Sequence, residues 1–126
     1  MLHPNQFQVN EAWIVFQLND RPIHTEQDGD FDILAFMDAA SCFILSSRPV
    51  STGVDGPSKL ESRRLFKQAK AHKKRWPRTL FVPQQQLASF IVSEANRQGI
   101  AVVRVPEEQL LPFIGEAREG FREHFS

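Results

Sequence analysis

The sequence predicts an α/β fold with one mixed β-sheet of about five strands, flanked by helices, in the order β-β-β-α-β-α-β-α. Two observations predict it. Three β-type runs follow one another before the first helical segment, and two further short runs are separated by an amphipathic segment. The chain of 126 residues is expected to form a single domain, residues 1–126, with a loose N-terminus over residues 1–10.

The first three strands are expected to pair as an antiparallel meander. Residues 12–18 form an apolar β-type run that ends at the turn residues 19–22. Two similar runs follow at 31–37 and 42–47. Residues 38–41 separate them and suit a type I turn with Asp at its first position. Because these runs are close in sequence, hairpin pairing is the simplest arrangement.

The first helix is predicted from Ser58 to about Arg75, after a Gly- and Pro-containing loop over residues 51–58. Ser58 and Glu61 have the spacing of a capping box, in which each side chain accepts a hydrogen bond from the other residue's backbone N–H. The apolar stripe of this helix is thin, so most of its surface should face water. Its members are Leu60, Leu65, Phe66, Ala69 and Trp76.

The second half of the chain predicts a parallel pair of strands. Residues 79–82 form a short strand, and Pro83 is expected to open a second helix that Gly99 closes. Residues 100–103 form the last strand, which is apolar enough to be central. A helix between two strands implies a right-handed parallel crossover. Pro112 is expected to start the last helix.

This order of elements resembles the ribonuclease H-like fold of integrases and many transposases. The segment FMDAASCFIL, residues 36–45, is similar to the part of integrase cores where the second strand turns into the third. The resemblance spans about residues 12–125, and the whole chain is also similar to bacterial proteins of unassigned function. It implies a sheet of the integrase type and raises the question of metal-dependent nuclease chemistry.

The acids of that chemistry are absent from two of their three places. Active members of the family carry one acid on the first strand, one just after the fourth strand and one on or near the last helix, and these hold two divalent metals. Here the first strand has Gln17 as its only polar side chain, and residues 84–86 are all Gln. The resemblance therefore implies a degenerate member with no catalytic residue, metal or cofactor. Candidate acids remain in the last helical region: Glu107, Glu108, Glu116 and Glu119.

Other acids leave alternatives open. Asp20 and Asp38 could be displaced metal ligands, although Asp is common at turns for its own backbone hydrogen bonds. Three carboxylates alternate at Asp28, Asp30 and Asp32, which could attract a hard cation. The position that an EF-hand fills with its last Glu is Ala39, so we favour a solvated acidic loop.

The remaining motifs exclude several function classes. Cys42 lies inside a β-type run and is interpreted as a small core residue rather than a reactive thiol. The four histidines of the chain are too scattered for a zinc site. A lone cysteine and the lack of a signal-peptide pattern indicate the cytoplasm. No apolar run approaches the length of a membrane span.

Charge is unevenly distributed although the formal net charge is zero. Residues 1–58 have a net charge of −6, residues 59–78 of +8, and residues 79–126 of −2. We therefore predict a binding surface on the first helix and its exit. Its candidate residues are Arg63, Arg64, Lys67, Lys70, Lys73, Lys74, Arg75, Trp76 and Arg78.

Three interpretations of this basic segment stay open. It could be only a solvated helix face, with Trp76 packed underneath. It could meet an acidic surface on a protein partner or on a second copy of the chain. It could bind a nucleic-acid backbone, with Trp76 stacking on a base. Our leading hypothesis is a non-catalytic, intracellular interaction module that binds a protein partner; a nucleic-acid-binding domain is the alternative, and a divergent nuclease is the third.

Overall fold

The computed structural model describes residues 2–27, 29–51, 56–86 and 88–125. Within these residues the sheet has six strands and is flanked by three α-helices and two short 3-10 helices. The strands are β1 (Ala12–Gln17), β2 (Ile23–Thr25), β3 (Gly29–Asp38), β4 (Ile44–Ser51), β5 (Thr79–Pro83) and β6 (Ala101–Val105). The helices are α1 (Lys59–Lys73), α2 (Ser89–Arg97) and α3 (Leu111–Phe125), with 3-10 helices at Pro4–Gln6 and Glu107–Leu110.

The sheet is mixed, as the sequence predicts. Strands β1 and β2 lie end to end along one edge of β3, and β4 pairs with its other edge; all three pairings are antiparallel. On the far side of β1, β5 and then β6 run parallel. The predicted meander and the predicted parallel pair are therefore both confirmed. The short strand β2 lies in a polar stretch that carries no β-type pattern.

Two layers of side chains pack against the sheet. On one face, Trp13 and Phe36 from the sheet pack with the buried stripe of α1 and with α2. On the other face, Phe16 and Met37 pack with α3. Strands β1 and β3 supply side chains to both layers, because successive residues of a strand point to opposite faces. No helix in the described ranges is long and apolar enough to cross a membrane.

Two predictions in the second half of the chain are wrong. Pro83 ends β5, where it pairs with Val105, and α2 begins only at Ser89. A proline is tolerated at the end of a strand, although it has no N–H to donate to the neighbouring strand. Strand β6 is an edge strand and not a central one, and its Val103 is 40% exposed. Leu87 of the predicted helical stripe lies outside the described residues.

The N-terminal residues differ from the loose segment that we expected. Phe7 packs edge-on against Phe81, with ring centroids 5.6 Å apart. Asn10 is buried, and its side-chain oxygen accepts a 2.7 Å hydrogen bond from Trp13 Nε1. The segment therefore adds apolar area and hydrogen bonds to the domain. In the loop predicted over 51–58, Ser51 ends β4, and residues 52–55 lie outside the described ranges.

The predicted capping box of α1 is confirmed and gives a stability prediction. Ser58 Oγ accepts the N–H of Glu61 at 3.1 Å, and Glu61 Oε1 accepts the N–H of Ser58 at 2.9 Å. We expect Ser58→Ala to lower the free energy of unfolding by about 1 kcal/mol in urea titrations. Ser93→Ala, at an exposed position inside α2, is the control and should change it by no more than about 0.5 kcal/mol. Equal effects of the two variants would contradict the capping role.

Candidate binding surface on the first helix

The predicted basic residues lie together on α1 and the segment that follows it. We call them the basic surface. Its members Arg63, Arg64, Lys67, Lys70, Lys74, Arg75 and Arg78 are exposed, whereas Lys73 and Trp76 are half-buried. The opposite side of α1 buries Ser62, Leu65, Phe66 and Ala69 against the sheet. The narrow apolar stripe thus fixes the helix and turns its cations towards water.

Internal ion pairs neutralise little of this charge. Among the described residues, Arg63 is the member of the basic surface that pairs with an acid, at 3.8 Å from Glu94 of α2. Glu94 is 8% exposed and is also contacted by Arg97 at 3.3 Å and by Gln98 at 3.1 Å. The other cations have no carboxylate within ion-pair distance in the described ranges, so they are available to an external anion.

Trp76 lies at the junction of the basic surface and the core. Its ring centroid is 6.0 Å from those of Trp13 and Phe66, and it packs against the buried cluster on this side of the sheet. The Lys70 ammonium lies 4.7 Å from the ring centroid, in a cation–π contact. Trp76 therefore packs against the core, as the first interpretation predicted, and a base could stack on its ring only if Lys70 moved.

A groove of about 490 Å³ runs between α1 and α2 beside Trp76. Phe66, Ala71 and Trp76 supply its apolar lining. Its charged lining consists of Arg63, Lys67, Lys70 and Lys74 from α1, with Glu94 and Arg97 from α2. The sequence identified the cations of α1 but gave no signal for the groove, because the contribution of α2 depends on helix packing.

A second cavity, of about 420 Å³, lies at the carboxyl ends of β1 and β5. Gln17 and Gln85 line it at two of the places where the family resemblance requires acids. Arg118 enters the same cavity, donates a 3.0 Å hydrogen bond from Nε to the carbonyl of Gln17, and forms an ion pair with Glu107. Asp20 and Asp32 also line this cavity. Because Glu107 is paired with Arg118 and Asp20 with Arg122, and because the Arg118 guanidinium repels a divalent cation, these residues do not fit a two-metal centre.

Asp38 and Asp20 have different structural roles. Asp38 is fully buried and accepts hydrogen bonds from the backbone N–H of Asn10 at 2.7 Å and from the hydroxyl of Ser41 at 2.7 Å. It therefore organises the turn between β3 and β4, as the turn interpretation predicted. Asp20 is exposed and lies 2.6 Å from Arg122 of α3.

Of the three alternating acids, the two that the structure describes have separate partners. Asp28 lies outside the described residues. Asp30 contacts His24 at 2.6 Å across the β2–β3 hairpin, and Asp32 accepts a 3.0 Å hydrogen bond from Asn19. Among the described residues, no group of three or more His, Cys, Asp and Glu side chains is placed to hold a metal ion.

Cys42 is half-buried and packs against the core on the α3 side. Burial raises the pKa of its thiol, and the carboxylates of Glu116 and Asp38 add to the effect. Less thiolate is present at neutral pH when the pKa is raised, and thiolate is the nucleophilic form. These surroundings agree with the interpretation of Cys42 as a packing residue.

Comparison with known proteins supports the fold. No protein-family model matches the sequence, and no curated protein matches it. The chain is similar to one in the simian T-cell lymphotropic virus intasome in complex with PP2A regulatory subunit B56 gamma, with 12% identity over 88% of this chain and a TM-score of 0.59; it spans 37% of that chain. It is also similar to the HTLV-2 integrase catalytic core domain in complex with magnesium, with 13% identity, 86% and 82% coverage and a TM-score of 0.53. The predicted integrase-type fold is therefore confirmed.

Proposed function

We propose that this chain is a non-catalytic interaction module that binds an acidic segment or surface of a protein partner through its basic surface. One observation carries the proposal. All cations of α1 except the half-buried Lys73 are exposed, and within the described residues Glu94 is the acid that pairs with any of them. A surface of this kind attracts anionic partners and speeds their association. A cytoplasmic setting and a bacterial origin both stay expectations.

A protein partner is favoured over nucleic acid on two grounds. Trp76 is packed against Trp13 and Phe66 and partly covered by Lys70, so its ring is not an open platform for a base. The whole chain has a formal net charge of zero, whereas nucleic-acid-binding domains usually carry an excess of positive charge. The partner could also be the acidic N-terminal half of a second copy, which ultracentrifugation at low salt would detect as a dimer.

Binding of a short fluorescent peptide of alternating Glu and Ser tests the proposal. We expect anisotropy to report binding that weakens as salt rises, because exposed charge pairs are screened beyond a Debye length of about 8 Å at physiological salt. A peptide of alternating Lys and Ser is the matched control and should not bind. Absence of binding by the Glu peptide at low salt would contradict the proposal and leave the basic surface as a solvated helix face.

Nucleic-acid binding through the same residues is the second candidate. The run of adjacent cations favours it, and so does the similarity to a chain of an intasome. Labelled single- and double-stranded DNA and RNA, titrated across a salt series, test this candidate. Affinity that falls by several decades between about 50 and 200 mM salt would indicate multiple phosphate contacts and would place this candidate first.

Divergent nuclease activity is the third candidate. It is disfavoured because the positive charge of Arg118 lies in the cavity at the ends of β1 and β5, where a nuclease would hold its metals. Metal-dependent cleavage of DNA or RNA by the purified chain would support this third candidate.

A further inference from the structure

The groove between α1 and α2 combines positive charge with an apolar lining. Phe66, Ala71 and Trp76 line it together with Lys67 and Lys70. Its volume of about 490 Å³ lies within the range of pockets that hold a ligand or a large side chain. A partner that offered only charge would leave this apolar lining in contact with water. The groove therefore fits a ligand that offers an apolar group in addition to a carboxylate.

The acid in the groove does not oppose an anionic partner. Glu94 is already contacted by Arg63, Arg97 and Gln98, and it is 8% exposed. The negative charge of Glu94 is thus balanced by its own neighbours, so an approaching segment meets mainly the positive charge of the lysines of α1. The Lys70 ammonium lies 4.7 Å from the centroid of the Trp76 ring, so pairing with a carboxylate of the partner requires it to leave that ring.

We propose that this groove binds one large apolar side chain, such as Phe, that is flanked by carboxylates in an acidic segment of the partner. This inference rests on the proposed function and adds the chemistry of the segment that is bound. The apolar side chain contacts Ala71 and the part of Trp76 that lines the groove, and the flanking carboxylates pair with Lys67, Lys70 and Lys74. Aromatic anchors in pockets commonly carry much of the binding energy at interfaces.

Two peptides measure the contribution of the anchor. One is the alternating Glu and Ser peptide, and the other has a single Phe in place of its central Ser. We expect the Phe peptide to bind the wild-type chain about ten- to a hundredfold more tightly, since burial of such a side chain contributes a factor of this size. Equal affinities of the two peptides would overturn the inference while leaving the proposed function intact; binding of neither peptide would reject both.

Ala71→Arg tests the groove itself. Ala71 is exposed and lines the groove, so a large cationic side chain there fills the space without removing positive charge. We expect this variant to bind both peptides equally, with about the affinity that the wild-type chain has for the peptide without Phe. Gln68→Arg is the matched control, because it adds the same charge to α1 at an exposed position outside the groove lining. It should keep the preference for Phe. A preference that survives Ala71→Arg would overturn the assignment, and circular dichroism verifies that both variants fold.

Discussion

Reversal of Lys70, Lys73 and Lys74 to Glu is expected to abolish binding of the acidic peptide. The change lowers the net charge of residues 59–78 from +8 to +2. It removes the two groove cations Lys70 and Lys74 and the neighbouring charge of Lys73, and it replaces all three with repulsion. Because an exposed ion pair contributes about 0.2–1 kcal/mol, the sum of lost attraction and added repulsion should lower the affinity by at least about tenfold. Fluorescence anisotropy at low salt measures the effect.

The matched control replaces the same three residues with Arg. This triple variant keeps the charge and should bind the peptide within a few-fold of the wild type. The three side chains are not part of the buried stripe of α1, so both variants are expected to fold. If the Glu variant bound the peptide as tightly as the wild type, charge on α1 would not be the basis of recognition.

Asp38→Ala is expected to lower the free energy of unfolding by at least about 3 kcal/mol, since several hydrogen bonds to a charged group are lost and each contributes roughly 1.5–3 kcal/mol. Asp38 is fully buried at the end of β3. Its two oxygens accept hydrogen bonds from the N–H of Asn10 and from the N–H and hydroxyl of Ser41. Asn10 in turn accepts the indole N–H of Trp13. Removal of the carboxylate leaves buried donors without a partner and loosens the contact between the N-terminal segment and the core.

Asp20→Ala is the comparison for this variant. Asp20 also follows a strand, but it is exposed and pairs with Arg122, which is exposed as well. We expect its loss to cost less than about 1 kcal/mol. Chemical denaturation of both variants measures the difference. Equal costs would contradict the role that we assign to the buried carboxylate of Asp38.

Local signals in the sequence predicted much of the fold. The capping box at Ser58 and Glu61, the turn at Asp38 and the apolar runs of β1, β3 and β5 depend on neighbouring residues, so they could be identified from the chain alone. The start of α2 and the edge position of β6 depend on which strands pair. Pro83 carried a valid helix-start signal, but strand pairing with β6 determined its conformation.

The candidate site was predicted in part. The cations of α1 were visible in the sequence because they occupy one segment. The groove was not visible, because α2 supplies Glu94 and Arg97 from a distant part of the chain. Arg118 was also missed: it contacts Gln17 across 101 residues of sequence, and no local pattern marks that contact.

Competition between a protein-like ligand and nucleic acid tests the central claim most directly. The labelled peptide with the central Phe is bound to the wild-type chain at physiological salt, and duplex DNA is then added in excess. We predict that the peptide stays bound, because its affinity depends on the groove as well as on charge. Full displacement by DNA, or failure of the peptide to bind before DNA is added, would contradict the account.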